Sequence, residues 1–150
     1  MSGPPLAALL TPSGRGAIAT IRVSLTGASR STADAWPFRA ANGRPLSAQA
    51  VGRIVFGRWG SEPAEEVVVC AVDEATCEIH CHGGEAAARR ILGDLADAGC
   101  RTVGWPELLR QTESPLQAEI MSVLSRATTL PARPFFGSRR MASLSRRSPR

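Results

Sequence analysis

The sequence contains no lysine, and all 18 of its basic side chains are arginines. A Walker A loop needs a lysine to reach the phosphates of a nucleotide, so this absence excludes a nucleotide-binding loop of that kind. Tyrosine is also absent, and aromatic residues make up only 5% of the chain. A buried core must therefore consist mainly of alanine, valine, leucine and isoleucine. No apolar run approaches the ~20 residues that a membrane-spanning helix needs, so we expect no association with a membrane.

A recognisable secretory signal is missing as well. The first residues, MSGPPLAALLTPSGRG, include a short apolar patch but no basic segment before it, whereas signal peptides begin with one. We therefore expect a soluble cytoplasmic protein whose cysteines are reduced thiols rather than a disulfide framework. The four cysteines are Cys70, Cys77, Cys81 and Cys100.

Positive charge is concentrated at one end of the chain. The net charge is +5, but the segment after Leu130, PARPFFGSRRMASLSRRSPR, holds six arginines and no acidic residue. The rest of the chain is close to neutral. We predict that residues 131–150 form a disordered tail. Two interpretations of this tail stay open: a nonspecific, salt-sensitive contact with RNA, or a solvated appendage.

Hydrophobic patterns predict an α+β fold in which helices pack on a mixed β-sheet. Strands are expected at Ala17–Ser24, Ala50–Trp59, Glu66–Val72 and Thr76–His82, with a short return strand at Cys100–Val103. A short helix is expected within Ser29–Arg39, broken near Pro37, and a loop or short helix at WPELL, which begins at Trp105.

Two longer amphipathic helices are predicted. The first follows Gly83-Gly84 and ends before Gly99, a natural residue to terminate a helix. Its apolar face comprises Ala87, Ala88, Ile91, Leu92, Leu95 and Ala98. The second runs from Ser114 to Thr128, with Ser114 as N-cap and Gln117 as the partner in a capping box.

The stretch CEIHCHGG, from Cys77 to Gly84, concentrates the residue types that carry chemistry. On a strand, Glu78, His80 and His82 point to one side and the two cysteines to the other. This alternation separates the ligands of a tetrahedral metal site, and both histidines of the chain are already in this stretch, so no metal site is predicted. It also separates Cys81 from the histidines, which favours a buried thiol over a nucleophile.

The paired glycines have two compatible interpretations. Gly83 and Gly84 can form a strand-to-helix turn with unusual backbone angles. They can also open an anion site at the N-terminus of the following helix. Arg22 lies in the middle of a strand, on its more polar face, where it is either a solvated arginine or a functional one.

Three segments together resemble the tRNA-modification GTPases of the MnmE (TrmE) family. TPSGRGAIATIRVS is similar to the family's TPPGRG loop and the strand after it, and CEIHCHGGEAAARRILGDLADAGCRT to its VEIHCHGG strand, turn and helix. LQAE, from Leu116, resembles the start of the family's helical domain. The resemblance implies a folate-binding-like domain at residues 1–112 and the start of the helical domain at residues 113–130, before the tail at residues 131–150.

The resemblance also implies a function. The family's N-terminal domain resembles the tetrahydrofolate-binding domains of one-carbon enzymes, binds a 5-formyltetrahydrofolate-type ligand and forms a homodimer. The complete protein, with a partner, modifies the wobble uridine of certain tRNAs. The folate contacts carried over by motif are Arg22 and Glu78, and the candidate pocket-lining residues are His80, His82, Gly83 and Gly84. No catalytic residue is implied, and we expect no GTPase activity of the chain itself.

Departures from the family pattern keep alternatives open. VDEAT stands where the family has a long loop, and the family's ligand-contacting lysine has no counterpart, because the chain has no lysine. The first alternative is a structural or interaction protein that has lost ligand binding. The second is an RNA-binding protein that acts through its basic tail.

Overall fold

The computed structural model describes residues 3–11 and 16–126. Its strands are β1 (Leu6–Leu9), β2 (Ile18–Ser24), β3 (Phe38–Ala40), β4 (Ile54–Trp59), β5 (Glu65–Ala71), β6 (Thr76–His82) and β7 (Arg101–Thr102). Its α-helices are α1 (Glu85–Asp97), α2 (Trp105–Thr112) and α3 (Pro115–Arg126), and two short 3-10 helices span Arg30–Ala35 and Leu46–Ala48.

The strands form one sheet in the order β3-β4-β5-β6-β2-β1-β7. Neighbouring strands are antiparallel except β1 and β7, which are parallel. This mixed sheet with its helices confirms the predicted α+β fold.

One face of the sheet carries the main core. Alternation buries every second residue of β2, β5 and β6 on this face, including Ile21, Val69 and Ile79. The apolar face of α1 packs on them, with Ile91 and Leu95 fully buried. The predicted apolar face of this helix is confirmed, and Gly99 takes the left-handed conformation expected after its end, with φ of 91°.

The opposite face is only partly covered by the residues that the structure describes. Leu108 of α2 packs against Leu6 and Ala8 of β1 and forms a second, smaller core. Farther along the sheet, Ile18 and Phe56 are exposed on this face. The part of the face formed by β4, β5, β6 and β2 is called the open face below.

Several predicted elements differ from those observed. The apolar patch LAAL, which sequence analysis left without an element, is strand β1, because its pairing with β2 buries alanines that are too small to give a clear strand pattern. The helix expected at Ser29–Arg39 is a 3-10 helix followed by β3, since Pro37 forces an extended chain before it. The strand expected from Ala50 begins at Ile54, after a turn in which Gly52 has a φ of 76°.

The chain divides into two compact units, one up to Glu113 and one from Ser114 onward. In the second unit the structure describes α3, and the predicted N-cap residue, Ser114, is confirmed. The Ser114 hydroxyl accepts a hydrogen bond from the Gln117 backbone N–H at 3.3 Å and donates to the Gln117 side chain at 3.0 Å. The predicted end of this helix at Thr128 and the tail at residues 131–150 lie outside the described residues.

None of the helices within residues 3–11 and 16–126 is long and apolar enough to cross a membrane.

Candidate functional site

The antiparallel register of β2 and β6 places Arg22 directly opposite Glu78 on the open face. The Arg22 guanidinium donates two hydrogen bonds to Glu78 Oε1, from Nε at 3.1 Å and from Nη2 at 2.6 Å. The side chains are 31% and 20% exposed, so the pair is partly shielded from water but within reach of a ligand. Arg22 and Glu78, which were predicted from separate sequence motifs, are therefore in direct contact.

His80 extends this network along β6. Its Nδ1 lies 3.1 Å from the hydroxyl of Thr20, the residue opposite it on β2. Its Nε2 lies 3.6 Å from Glu78 Oε2, which is close enough for electrostatic attraction but long for a hydrogen bond. Glu78 thus has Arg22 at one carboxylate oxygen and His80 near the other.

His82 is not part of the network. Its Nδ1 lies 3.5 Å from Glu65 Oε2, and its side chain is 69% exposed. It borders a shallow depression of about 220 Å³, whose floor includes Phe56 and Val68. His80 also lines this depression and so separates it from the Arg22–Glu78 pair. The two candidate histidines therefore line the same depression but lie near different carboxylates, Glu78 for His80 and Glu65 for His82.

Cross-strand pairing arranges the open face in rows. One row runs Ile54, Cys70, Glu78, Arg22, and the next runs Phe56, Val68, His80, Thr20. The half of each row on β4 and β5 is apolar or weakly polar, and the half on β6 and β2 is polar. A ligand that lies along a row would meet an apolar surface at one end and charged or hydrogen-bonding groups at the other.

Gly83 and Gly84 connect β6 to α1, but the reason why glycine is required there differs from the predicted one. Neither residue has a φ in the left-handed region, so the expectation of unusual backbone angles was wrong. Gly83 is needed for space, because a Cβ at this position would overlap the carbonyl group of Gly16. The Gly83 N–H donates to the Ala17 carbonyl at 2.9 Å.

This close approach joins the two sequence motifs. Gly83, the first glycine after β6, packs against Gly16, the last residue of the TPSGRG motif. Residues 12–15 of that motif lie outside the described residues. The N-cap residue of α1 is Gly84, which has no side chain to cap the first turn, and Glu85 lies within that turn.

Cys77 and Cys81, the two cysteines of the CEIHCHGG stretch, are core thiols. Burial raises the pKa of Cys77 from 9.0 to about 11. Burial also raises the pKa of Cys81, with a further increase from the negative charge of Glu65. Such thiols are poor nucleophiles near neutral pH. Within the described residues, no three His, Cys, Asp or Glu side chains are grouped so that they could hold a metal ion.

Thr20 is the member of the network that sequence analysis did not identify as a site residue. Alternation within β2 already placed it on the same face as Arg22. The missing information was the register with β6, which sets Thr20 opposite His80. No pattern within either strand specifies that register.

Comparison with known proteins supports the resemblance of the motifs. The family model described as "GTP-binding protein TrmE N-terminus" matches residues 5–105. The tRNA modification GTPase MnmE of Chlorobaculum tepidum is 34% identical over 142 residues, which cover 85% of this chain and 30% of that protein. The protein of the same name from Symbiobacterium thermophilum is 30% identical over 117 residues, which cover 71% of this chain and 25% of the relative.

The chain therefore spans 30% or less of the length of these two relatives. The family model, in contrast, matches about two-thirds of the chain and includes every residue of the Arg22–Glu78–His80 network. The chain belongs to the TrmE N-terminal family.

Proposed function

We propose that the chain is a folate-binding and dimerising module that takes part in modification of the tRNA wobble uridine in the cytoplasm. Its ligand is 5-formyltetrahydrofolate or a related tetrahydrofolate. The proposal rests on family membership, on the names of the relatives, which are tRNA modification GTPases, and above all on the Arg22–Glu78 pair. The chain does not itself hydrolyse GTP by a P-loop mechanism, because it has no lysine.

The chemistry of the pair suits a pterin ring. Such a ring presents N–H donors beside a carbonyl oxygen, so Glu78 can accept from the donors and Arg22 can donate to the oxygen or to the glutamyl carboxylate of the folate. In the structure Arg22 donates twice to Oε1, which uses the acceptor capacity of that oxygen. Bidentate recognition by Glu78 therefore requires Arg22 to transfer at least one hydrogen bond to the ligand.

The rows of the open face suit the rest of such a ligand. Tetrahydrofolates join a polar, hydrogen-bonding ring to a flat aromatic group. The apolar surface of Phe56 and Val68 lies beside the polar surface of His80 and Thr20 in one row. A ligand held by Glu78 can cover this apolar surface without burying a charged group.

Calorimetric titration with 5-formyltetrahydrofolate tests the proposal. We expect saturable binding by the wild type and a loss of about tenfold or more in affinity for Glu78→Gln, because a charge-assisted hydrogen bond is removed. The matched control is Glu74→Gln, the same substitution at a side chain that is 80% exposed, which should bind normally. A folded wild type that binds no tetrahydrofolate would refute the ligand proposal and favour a structural or interaction role.

Exposed apolar residues on the open face support the proposal of a homodimer. Ile18 and Ile54 are 59% and 71% exposed, and contact with a second copy would remove this surface from water. We expect the wild type to sediment as a dimer and Ile54→Asp to shift it toward monomer. Val72→Asp, at a residue outside the strands that is 43% exposed, is the control. A monomeric wild type at tens of micromolar, roughly the range where weak pairs assemble, would contradict dimerisation.

RNA binding through the tail is a separate proposal, since the tail lies outside the described residues. We propose that its arginines add nonspecific affinity for tRNA, which would weaken steeply with salt. Deletion of residues 131–150 should then abolish that affinity. Undiminished RNA binding by the deleted chain would place the RNA contact elsewhere.

A further inference from the structure

We infer that Thr20 and His80 form a positioning pair that sets the orientation of the Glu78 carboxylate. This inference rests on the proposed ligand role of Glu78 and assigns each member of the pair a specific part. His80 presents a proton to the carboxylate, and Thr20 keeps that proton on the correct ring nitrogen.

The ring nitrogen of His80 that lies near Glu78 is Nε2, at 3.6 Å from Glu78 Oε2. A lone pair directed at a carboxylate oxygen would be repelled, whereas an N–H directed at it is attracted. The neutral ring therefore carries its proton on Nε2 and has a lone pair on Nδ1.

The hydroxyl of Thr20 lies 3.1 Å from Nδ1 of His80. With the proton of the ring on Nε2, this hydroxyl is the donor and Nδ1 is the acceptor. The hydrogen bond also holds the ring between the two strands, because Thr20 and His80 are directly paired in the register. Thr20 thus selects both the tautomer and the ring position.

Each oxygen of the Glu78 carboxylate has its own partner. Arg22 donates two hydrogen bonds to Oε1, and the Nε2–H of His80 attracts Oε2. Groups at both oxygens define the plane of the carboxylate. When a ligand takes over hydrogen bonds from Arg22, the contact with His80 remains and keeps Oε2 directed toward the open face.

His82 serves as an internal comparison. It is the second of only two histidines in the chain, and its ring faces Glu65 rather than Glu78. Imidazole nitrogen spectra of the full-length chain therefore contain two sets of signals, one from the proposed positioning residue and one from a histidine outside the network.

The experiment combines these spectra with ligand affinity in two variants of Thr20. Thr20→Val removes the hydroxyl while keeping a β-branched side chain suited to a strand, and Thr20→Ser keeps the hydroxyl. At pH 8 we expect wild-type His80 to be protonated on Nε2, its Nδ1 signal to shift in Thr20→Val but much less in Thr20→Ser, and His82 to be unaffected. Affinity for 5-formyltetrahydrofolate should fall roughly two- to tenfold in Thr20→Val and recover in Thr20→Ser.

Protonation of wild-type His80 on Nδ1, or an Nδ1 signal that does not change in Thr20→Val, would overturn the inference. Equal ligand affinity of the wild type and Thr20→Val would overturn it as well. If the wild type bound no tetrahydrofolate, the proposed function would fail, and the nitrogen spectra would still decide whether Thr20 selects the tautomer of His80.

Discussion

Gly83 and Gly84 are chemically identical neighbours with different constraints. At Gly83 a side chain would collide with the backbone of Gly16, while at Gly84 no atom of the described residues, apart from its chain neighbours, lies within 4 Å of where a Cβ would be. Gly84 is also the N-cap residue of α1, with extended backbone, a position that serine favours. The same substitution should therefore have opposite consequences at the two positions.

We expect Gly83→Ser to lower the free energy of unfolding by about 1–3 kcal/mol or more, since the overlap is with backbone that cannot rotate away. Gly84→Ser should leave stability unchanged or raise it slightly. Urea unfolding of both variants measures the difference. Equal stability of the two would show that the β6–α1 connection can move away from Gly16.

At the scale of elements, α1 forms hydrogen bonds with the connection between β4 and β5 and with the end of β4. The Arg90 guanidinium donates to the carbonyls of Ser61 and Pro63 at 2.8 and 2.6 Å. Asp94, one turn farther along, accepts a hydrogen bond from the indole N–H of Trp59 at 2.9 Å. Trp59 is fully buried, so removal of that acceptor leaves its N–H without its hydrogen-bond partner.

Asp94→Ala should therefore lower the free energy of unfolding by about 1–3 kcal/mol, the usual effect of leaving a buried donor unsatisfied. Asp97→Ala is the matched control. Asp97 is exposed in the last turn of the same helix, where removal of a negative charge is neutral or slightly favourable. Thermal unfolding of both variants compares them. A similar loss of stability in both would mean that removal of a carboxylate from this helix, and not loss of the Trp59 hydrogen bond, controls the result.

At the scale of the whole molecule, composition makes the alkaline stability profile unusually simple. The chain has no lysine and no tyrosine, and arginine remains protonated above pH 12. The groups that titrate between pH 9 and 11 are therefore the thiols. Burial raises the pKa of Cys77 from 9.0 to about 11 and also raises that of Cys81 and Cys100.

A raised thiol pKa means that the folded chain keeps a proton that the unfolded chain releases. Stability should be fully present below pH 9 and fall as the pH rises toward about 11. Urea unfolding at pH 8 and pH 10 measures this fall, and Cys77→Ala should make it smaller. Cys70→Ala, at a less buried cysteine, should change the slope less. A flat profile in the wild type would show that the buried thiols ionise as easily as in the unfolded chain.

The sequence by itself determined which sides of β2 and β6 face the core and where α1 begins and ends. It also determined that Glu78, His80 and His82 share a face, as the structure confirms. These features could be predicted because alternation in a strand and the apolar stripe of a helix depend only on neighbouring residues. Strand β1 escaped prediction because LAAL becomes a strand only through pairing with β2 and β7.

Only the tertiary structure decided which distant residues meet. Arg22 and Glu78 are far apart in the chain, and their ion pair depends on the register between β2 and β6. A shift of that register by one residue would turn one partner to the opposite face. The same register pairs Thr20 with His80, and it brings Gly83 against Gly16. The observed register is the one that gives the lowest free energy for the whole sheet and its core together. The sequence of a single segment therefore does not specify it.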